Sequence, residues 1–238
     1  MVTTLQLGEI EVDVLKKDIK NLHLSVHPPS GRVTISAPSR LSMDTIRVYA
    51  ISKLGWIKKH QKQLREQERE TPREFIDRES HYLWGKRYLL KVTEANQPPA
   101  ISIDHRKLFL QVRPGTDTKA RAAIVDEWYR EQIKRAAPPL IAKWEPMLGV
   151  KVEKFFVRRM RTKWGSCTPS RRTIRLNTDL ARKPPECLEY IIVHEMMHLL
   201  EPTHNARFIA LMGEYMPQWK SHRDLLNSLP VRHEAWGY

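Results

Sequence analysis

The residues best able to do chemistry lie in one segment, Tyr190-Ile-Ile-Val-His194-Glu195-Met-Met-His198-Leu-Leu-Glu-Pro-Thr-His204. Residues four apart on an α-helix lie about 40° apart, so His194 and His198 project from one face, a turn apart. Two imidazoles so placed can chelate one tetrahedral zinc ion (Zn2+) through nitrogen. Glu195 beside them can reach a metal-activated water without being a ligand. The expected chemistry is hydrolysis, with zinc acidifying the water and polarising a carbonyl while the carboxylate takes the proton as general base. Pro202 should end the helix, and His204, six positions after His198, could swing back beneath the metal as a third ligand. Glu214, on a following helix, is the rival, whereas Glu201 lies too close to the first helix. Three protein ligands would leave the fourth position open, which separates a catalytic from a structural zinc. A binding module with a structural zinc is the non-enzymatic alternative, but it would have no need of Glu195.

These side chains need a helix to hold them. Leu188, Ile191, Ile192, Val193, Met196, Met197, Leu199 and Leu200 surround the segment on nearly every side, which predicts a central, buried helix from about Pro185 to Leu200. Imidazoles and a carboxyl on such a helix are costly to desolvate unless a metal or partners satisfy them. Further helices are expected from about Asn205 to Tyr215 and near Trp219–Ser228. Ahead of the histidine helix, a strand over Val152–Val157 and a hairpin of Trp164-Gly-Ser-Cys167 with Thr173–Leu176 are expected. That hairpin can offer an edge strand to an extended peptide, which makes Trp164, Gly165 and Ser166 candidate substrate-binding residues. Trp164 could equally be a core aromatic and Gly165 a backbone requirement. Cys167 is either a latent inhibitory thiolate or an inert thiol. Tyr190, Tyr215, Arg207 and His222 are candidates to stabilise an oxyanion, while Phe208, Leu211 and Met212 have core spacing.

The N-terminal half reads as β-rich. A strand near Glu9–Val14 precedes a hairpin of Leu22–Val26 and Val33–Ile35 around Pro28-Pro-Ser-Gly31. Ser42 can cap an amphipathic helix from about Met43 to Glu68, and residues 66–80 look like a linker. A similar order recurs: Tyr82–Val92 as a strand or hairpin, Ile101–Ile103 and Leu108–Val112 as further strands, then a helix over Asp117–Ala136. Pro138-Pro139 should interrupt that helix, with Leu140–Leu148 resuming it. Two such passages suggest an internal duplication at the level of pattern. The domain reading is a β-hairpin-plus-helix region over 1–75 and a catalytic domain over 76–238.

With 238 residues, 41% of them hydrophobic, the chain can bury a sizeable core. No charged leader followed by an apolar stretch opens the sequence, and no apolar run is long enough to span a membrane. Cys167 and Cys187 form no CxxC pair, so sulfur ligation is not expected and a reducing, cytoplasmic compartment is the natural setting. The formal charge of +14 is concentrated: eleven Lys or Arg between Lys151 and Lys183 face only Glu153 and Asp179. Such a stretch could attract nucleic acid through phosphate contacts, or could simply solvate one face.

Several segments together resemble the YgjP-like metallopeptidases, which belong with the broader SprT-like zinc peptidases. They are Arg161-Thr-Lys-Trp164-Gly-Ser-Cys167, Ile174-Arg-Leu-Asn177, the His194 to His198 motif, His204-Asn-Ala-Arg-Phe208 and Met216-Pro-Gln-Trp-Lys220. The resemblance is dense over residues 158–226 and looser before, through Val33-Thr-Ile-Ser-Ala-Pro38 and Trp56-Ile57. Lys163 departs from the Arg usual there but keeps the charge. The resemblance implies zinc on His194, His198 and His204, Glu195 as general base, and a zincin-like C-terminal core. The expected fold class is therefore α+β: a β-rich N-terminal half with helices, and that core. The expected function is hydrolysis of peptide bonds in a protein or peptide substrate. The alternative is a nucleic-acid-associated SprT-like protease acting on DNA-bound proteins.

Overall fold

The computed structural model describes residues 2–27, 30–66 and 70–232. The fold is α+β, strand-rich in its first half and helical towards its end. Contacts divide the chain into two units between Glu70 and Thr71.

The first unit opens with β1 (Val2–Leu7), β2 (Ile10–Lys17), β3 (His23–His27) and β4 (Arg32–Pro38), in the order β1-β2-β4-β3. β1 pairs antiparallel with β2, β2 parallel with β4, and β3 antiparallel with β4. The expected hairpin is thus β3–β4, although Pro28 and Pro29 at its turn lie outside the described residues. β1 was not expected, because its alternation is only Leu5 and Leu7. Ser42 caps α1 (Met43–Ser52), accepting the Thr45 amide. The helix expected to run unbroken to Glu68 instead breaks at Lys53, whose amide turns back to Ala50, and resumes as α2 (Leu54–Glu66). Residues 67 and 68 are outside the described set. Val12, Val14, Val33 and Ile35 from the sheet pack with Ile46, Ala50 and Ile57 from the helices as a core of their own.

The second unit repeats the pattern with β5 (Ser80–Leu83), β6 (Lys86–Glu94), β7 (Ala100–Asp104) and β8 (Lys107–Val112), in the order β5-β6-β8-β7. The pairing senses match those of the first sheet one for one, and a helix again follows. The duplication suggested by the sequence pattern is therefore mirrored in topology. The helix, α3 (Thr118–Leu148), is capped by Asp117 and stopped by Gly149 at φ 64°. It does not break at Pro138-Pro139, contrary to the sequence expectation. Interior prolines cost about 3 kcal/mol each. One continuous stripe of Val125, Tyr129, Ile133, Ala137, Ile141, Trp144 and Leu148 is buried across them. At roughly 1.5–3 kcal/mol for each large apolar side chain, that burial outweighs the missing amides.

A three-stranded sheet follows: β9 (Lys154–Arg158), β10 (Gly165–Thr168) and β11 (Thr173–Asn177), in the order β10-β11-β9. β10 and β11 form the expected hairpin, and β9 runs parallel to β11. Then come α4 (Pro185–Met197), α5 (Ala206–Tyr215) and α6 (Trp219–Ser228). The β5–β6 turn, with Trp84 and Gly85 at positive φ, sets the start of α4. Trp84 N–H donates to Ala181 O at 2.8 Å, and a Cβ on Gly85 would sit 3.0 Å from Pro184. Midway along α4, Glu189 accepts from Trp144 Nε1 and Lys143 Nζ of α3, at 2.8 and 2.7 Å. Both contacts, at the start and the middle of α4, thus come from the repeat preceding it. Among the described residues no helix is long and apolar enough to cross a membrane.

Candidate active site

α4 is buried on nearly all sides: Leu188, Ile192, Val193, Met196 and Met197 are at most 1% exposed. It ends at Met197, three residues short of the expected Leu200, because the next amides turn tightly back. Leu199 and Leu200 donate to Met196 O and Met197 O. His198 caps the helix with backbone angles still helical, so it keeps its position one turn beyond His194. The chain then turns through Pro202 and Thr203, and His204 returns to the helix. His204 Nε2 lies 3.0 Å from His194 Nε2. One ring nitrogen from each of His194, His198 and His204 falls within 4.8 Å of the others. Glu214 is exposed and no member of this cluster.

Two features orient the rings. His198 Nδ1 lies 3.1 Å from the Glu201 carbonyl. A carbonyl only accepts, so Nδ1 carries the hydrogen and Nε2 keeps a lone pair. Phe208 packs beneath all three imidazoles, its centroid 5.1, 4.8 and 4.8 Å from His194, His198 and His204. It is held there by Asn205, which caps α5 by accepting the Phe208 amide at 3.0 Å. The core spacing of Phe208 was legible in the sequence. Its place under the triad was signalled only by its position four residues after His204.

Burial sets the charges. It pushes the His194 pKa down to about 3, helped by His198 and His204, and lowers that of His198. Both rings are neutral near pH 7, the form that binds metal. His194 Nδ1 is buried without a hydrogen-bond partner among the described residues. In the metal-free chain His194 Nε2 and His204 Nε2 share one hydrogen at 3.0 Å, and a cation in its place would accept both lone pairs. Glu195 is 5% exposed, and burial pushes its carboxyl up to about 8, opposed by the Lys163 charge.

The hairpin abuts this carboxyl. A Cβ on Gly165 would lie 2.6 Å from Glu195 Oε1 and 2.9 Å from Ile191 Cγ2, so only glycine lets β10 approach so closely. Trp164 is half-buried against the core, with Lys183 Nζ 5.8 Å from its ring, and Ser166 is half-buried on β10. Cys167 is pushed up to about 11, by burial and then by Glu195, which makes it a protonated thiol. Of the oxyanion candidates, Tyr190 meets the His194 ring edge-on, with centroids 5.8 Å apart, while Arg207 is exposed and Tyr215 and His222 are half-buried. Asn177, quoted in the sequence only as part of a family segment, is 3% exposed. Its amide donates to Met160 O and Lys163 O, both at 2.8 Å, fixing the loop that leads into β10. Of the eleven cations between Lys151 and Lys183, Arg182 and Lys183 are buried. Arg182 lies 3.8 Å from Asp126 and 3.7 Å from Asp179, and Lys183 donates to Pro230 O.

A buried helix carrying two histidines and a carboxylic acid, with a third histidine returned to it, is the arrangement expected of a metallopeptidase. Compared with protein families, the sequence matches YgjP-like, metallopeptidase domain, over residues 20–229. The chain belongs to this YgjP-like family of metallopeptidases. Comparison with curated proteins finds no match.

Proposed function

We propose that the chain is a zinc-dependent peptidase in which His194, His198 and His204 hold the metal and Glu195 is the general base. The observation that carries this reading is the convergence of three imidazole nitrogens within 4.8 Å, on the helix that also bears a buried carboxyl. The donor set fits zinc: three imidazole nitrogens and no thiolate, which would leave a fourth position for water or substrate. When bound, zinc supplies Lewis acidity at the scissile carbonyl. The free edge of β10 pairs with the backbone of an extended substrate, and Trp164, Gly165 and Ser166 form the rim along which it lies. Glu195 removes a proton from the attacking water and delivers it to the departing amine. In the metal-free chain this carboxyl holds its own proton near pH 7. A cation at the histidines favours the ionised form, so loading the site prepares the base.

A sheet with its edge strand against the histidine helix supports a zincin-like core, and two free cysteines suit a cytoplasmic setting. The test is Glu195→Gln, which keeps the metal ligands and removes the base. Turnover of unfolded protein substrates should fall at least about a hundredfold with zinc stoichiometry unchanged. Unchanged turnover would exclude Glu195 as the base.

A further inference from the structure

The 160–164 loop has a construction that the peptidase reading does not by itself require. Asn177 holds it from inside, its side chain donating to Met160 O and Lys163 O and its backbone N–H to Trp164 O at 2.9 Å. With these carbonyls turned inward, the Lys163 side chain is exposed, and among the described residues no carboxylate lies within ion-pair distance of it. Two residues later, Gly165 lies against Glu195, so the Lys163 backbone is fixed at the entrance to the carboxyl, where its charge is felt. Among the described residues β10 is paired with β11 alone, so it is an edge strand of the kind an extended chain can join. Arg158, exposed on β9 beyond β11, lies at the same end of the sheet, opposite Asn177, and adds to this positive field.

Resting on the peptidase reading above, we propose that Lys163 selects polypeptide substrates carrying an acidic side chain beside the scissile bond. The held loop makes this cation a fixed feature of the cleft, and its field favours a carboxylate over an ammonium on the passing chain. A polypeptide is the partner favoured over a nucleic acid. The cation adjoins an open strand edge, whose N–H and C=O groups match a peptide backbone and have no counterpart in a phosphodiester chain.

The test is binding to the zinc-loaded Glu195→Gln chain, read by fluorescence anisotropy at low salt. The probes are two short labelled peptides of Ala, Val and Thr that differ only in a central Glu or Lys. The Glu peptide should bind about fivefold more tightly, as expected for one partly exposed charge pair. Lys163→Glu should reverse the order. Arg171→Glu, at the far end of the β10–β11 hairpin, should leave it unchanged. Equal binding of the two peptides, binding of neither, or the same loss in both variants overturns the inference. So does an oligothymidine that binds more tightly than the Glu peptide and is lost in Lys163→Glu, which would make the loop a nucleic-acid contact. Cleavage by the native chain separates this inference from the reading beneath it. Discrimination in binding without any cleavage counts against the peptidase function alone. Cleavage indifferent to peptide charge counts against the role of Lys163 alone.

Discussion

Gly165 and Glu195 are fitted to one another so closely that a single methyl group tests the fit. In Gly165→Ala the new Cβ meets Glu195 Cγ at 2.8 Å and Ile191 Cγ2 at 2.9 Å, and both are buried. Overpacking of this kind costs about 1–3 kcal/mol. The unfolding midpoint should fall, and turnover should drop at least about tenfold because the base is displaced, with zinc content retained. Glu195 itself makes a pH-dependent prediction for the metal-free chain. Its ordinary value of 4.5 is raised to about 8 by burial. Below 4.5 the group is protonated folded or unfolded; between 4.5 and 8 only the unfolded chain ionises it, so stability is lost as pH rises through that window. Glu195→Gln removes the loss, and by pH 8 the metal-free variant should be more stable than the native chain by about 2 kcal/mol or more in urea unfolding. The spacing of His194, Glu195 and His198 was legible in the sequence because helical periodicity is local. Asn177 was not legible as the holder of the 160–164 loop, because its partners lie fourteen and seventeen residues away and are backbone carbonyls.

At the scale of elements, the third histidine depends on the turn between α4 and α5. Asn205 caps α5 and seats Phe208, and Phe208 in turn supports all three rings. Asn205→Ala should cost about 1 kcal/mol of stability. It should also weaken zinc binding in competition with a chelator, a change that loss of stability alone would not produce in a fully folded sample. The hairpin β10–β11 and helices α5 and α6 were readable from alternation, turn residues and caps. Two helices were misread for opposite reasons. In α3, prolines carried a break signal that a long buried stripe overrides. Around Lys53, nothing in the amphipathic pattern marks the break between α1 and α2. The parallel pairings β2–β4 and β6–β8 were likewise hidden, since they join strands separated by another strand and no turn residue encodes them.

For the whole molecule, every residue assigned to the proposed chemistry falls in the unit Thr71–Arg232, which has its own core from Phe75 to Leu226. The N-terminal unit closes a separate core with the same strand order. A fragment of residues 71–232 should therefore fold and bind one zinc. A fragment that is unfolded by circular dichroism would show that the N-terminal repeat is needed to complete the catalytic one. The charge concentration between Lys151 and Lys183 is partly internal, with Arg182 and Lys183 buried, so net charge alone overstates what the surface offers a partner. The most direct test of the central claim is zinc-dependent cleavage of a panel of unfolded proteins, with zinc content measured in parallel, by the native chain, Glu195→Gln and His204→Ala. The native chain should cleave, Glu195→Gln should hold zinc without cleaving, and His204→Ala should lose both zinc and cleavage. Full cleavage by Glu195→Gln, or full zinc binding and cleavage in His204→Ala, would contradict that claim.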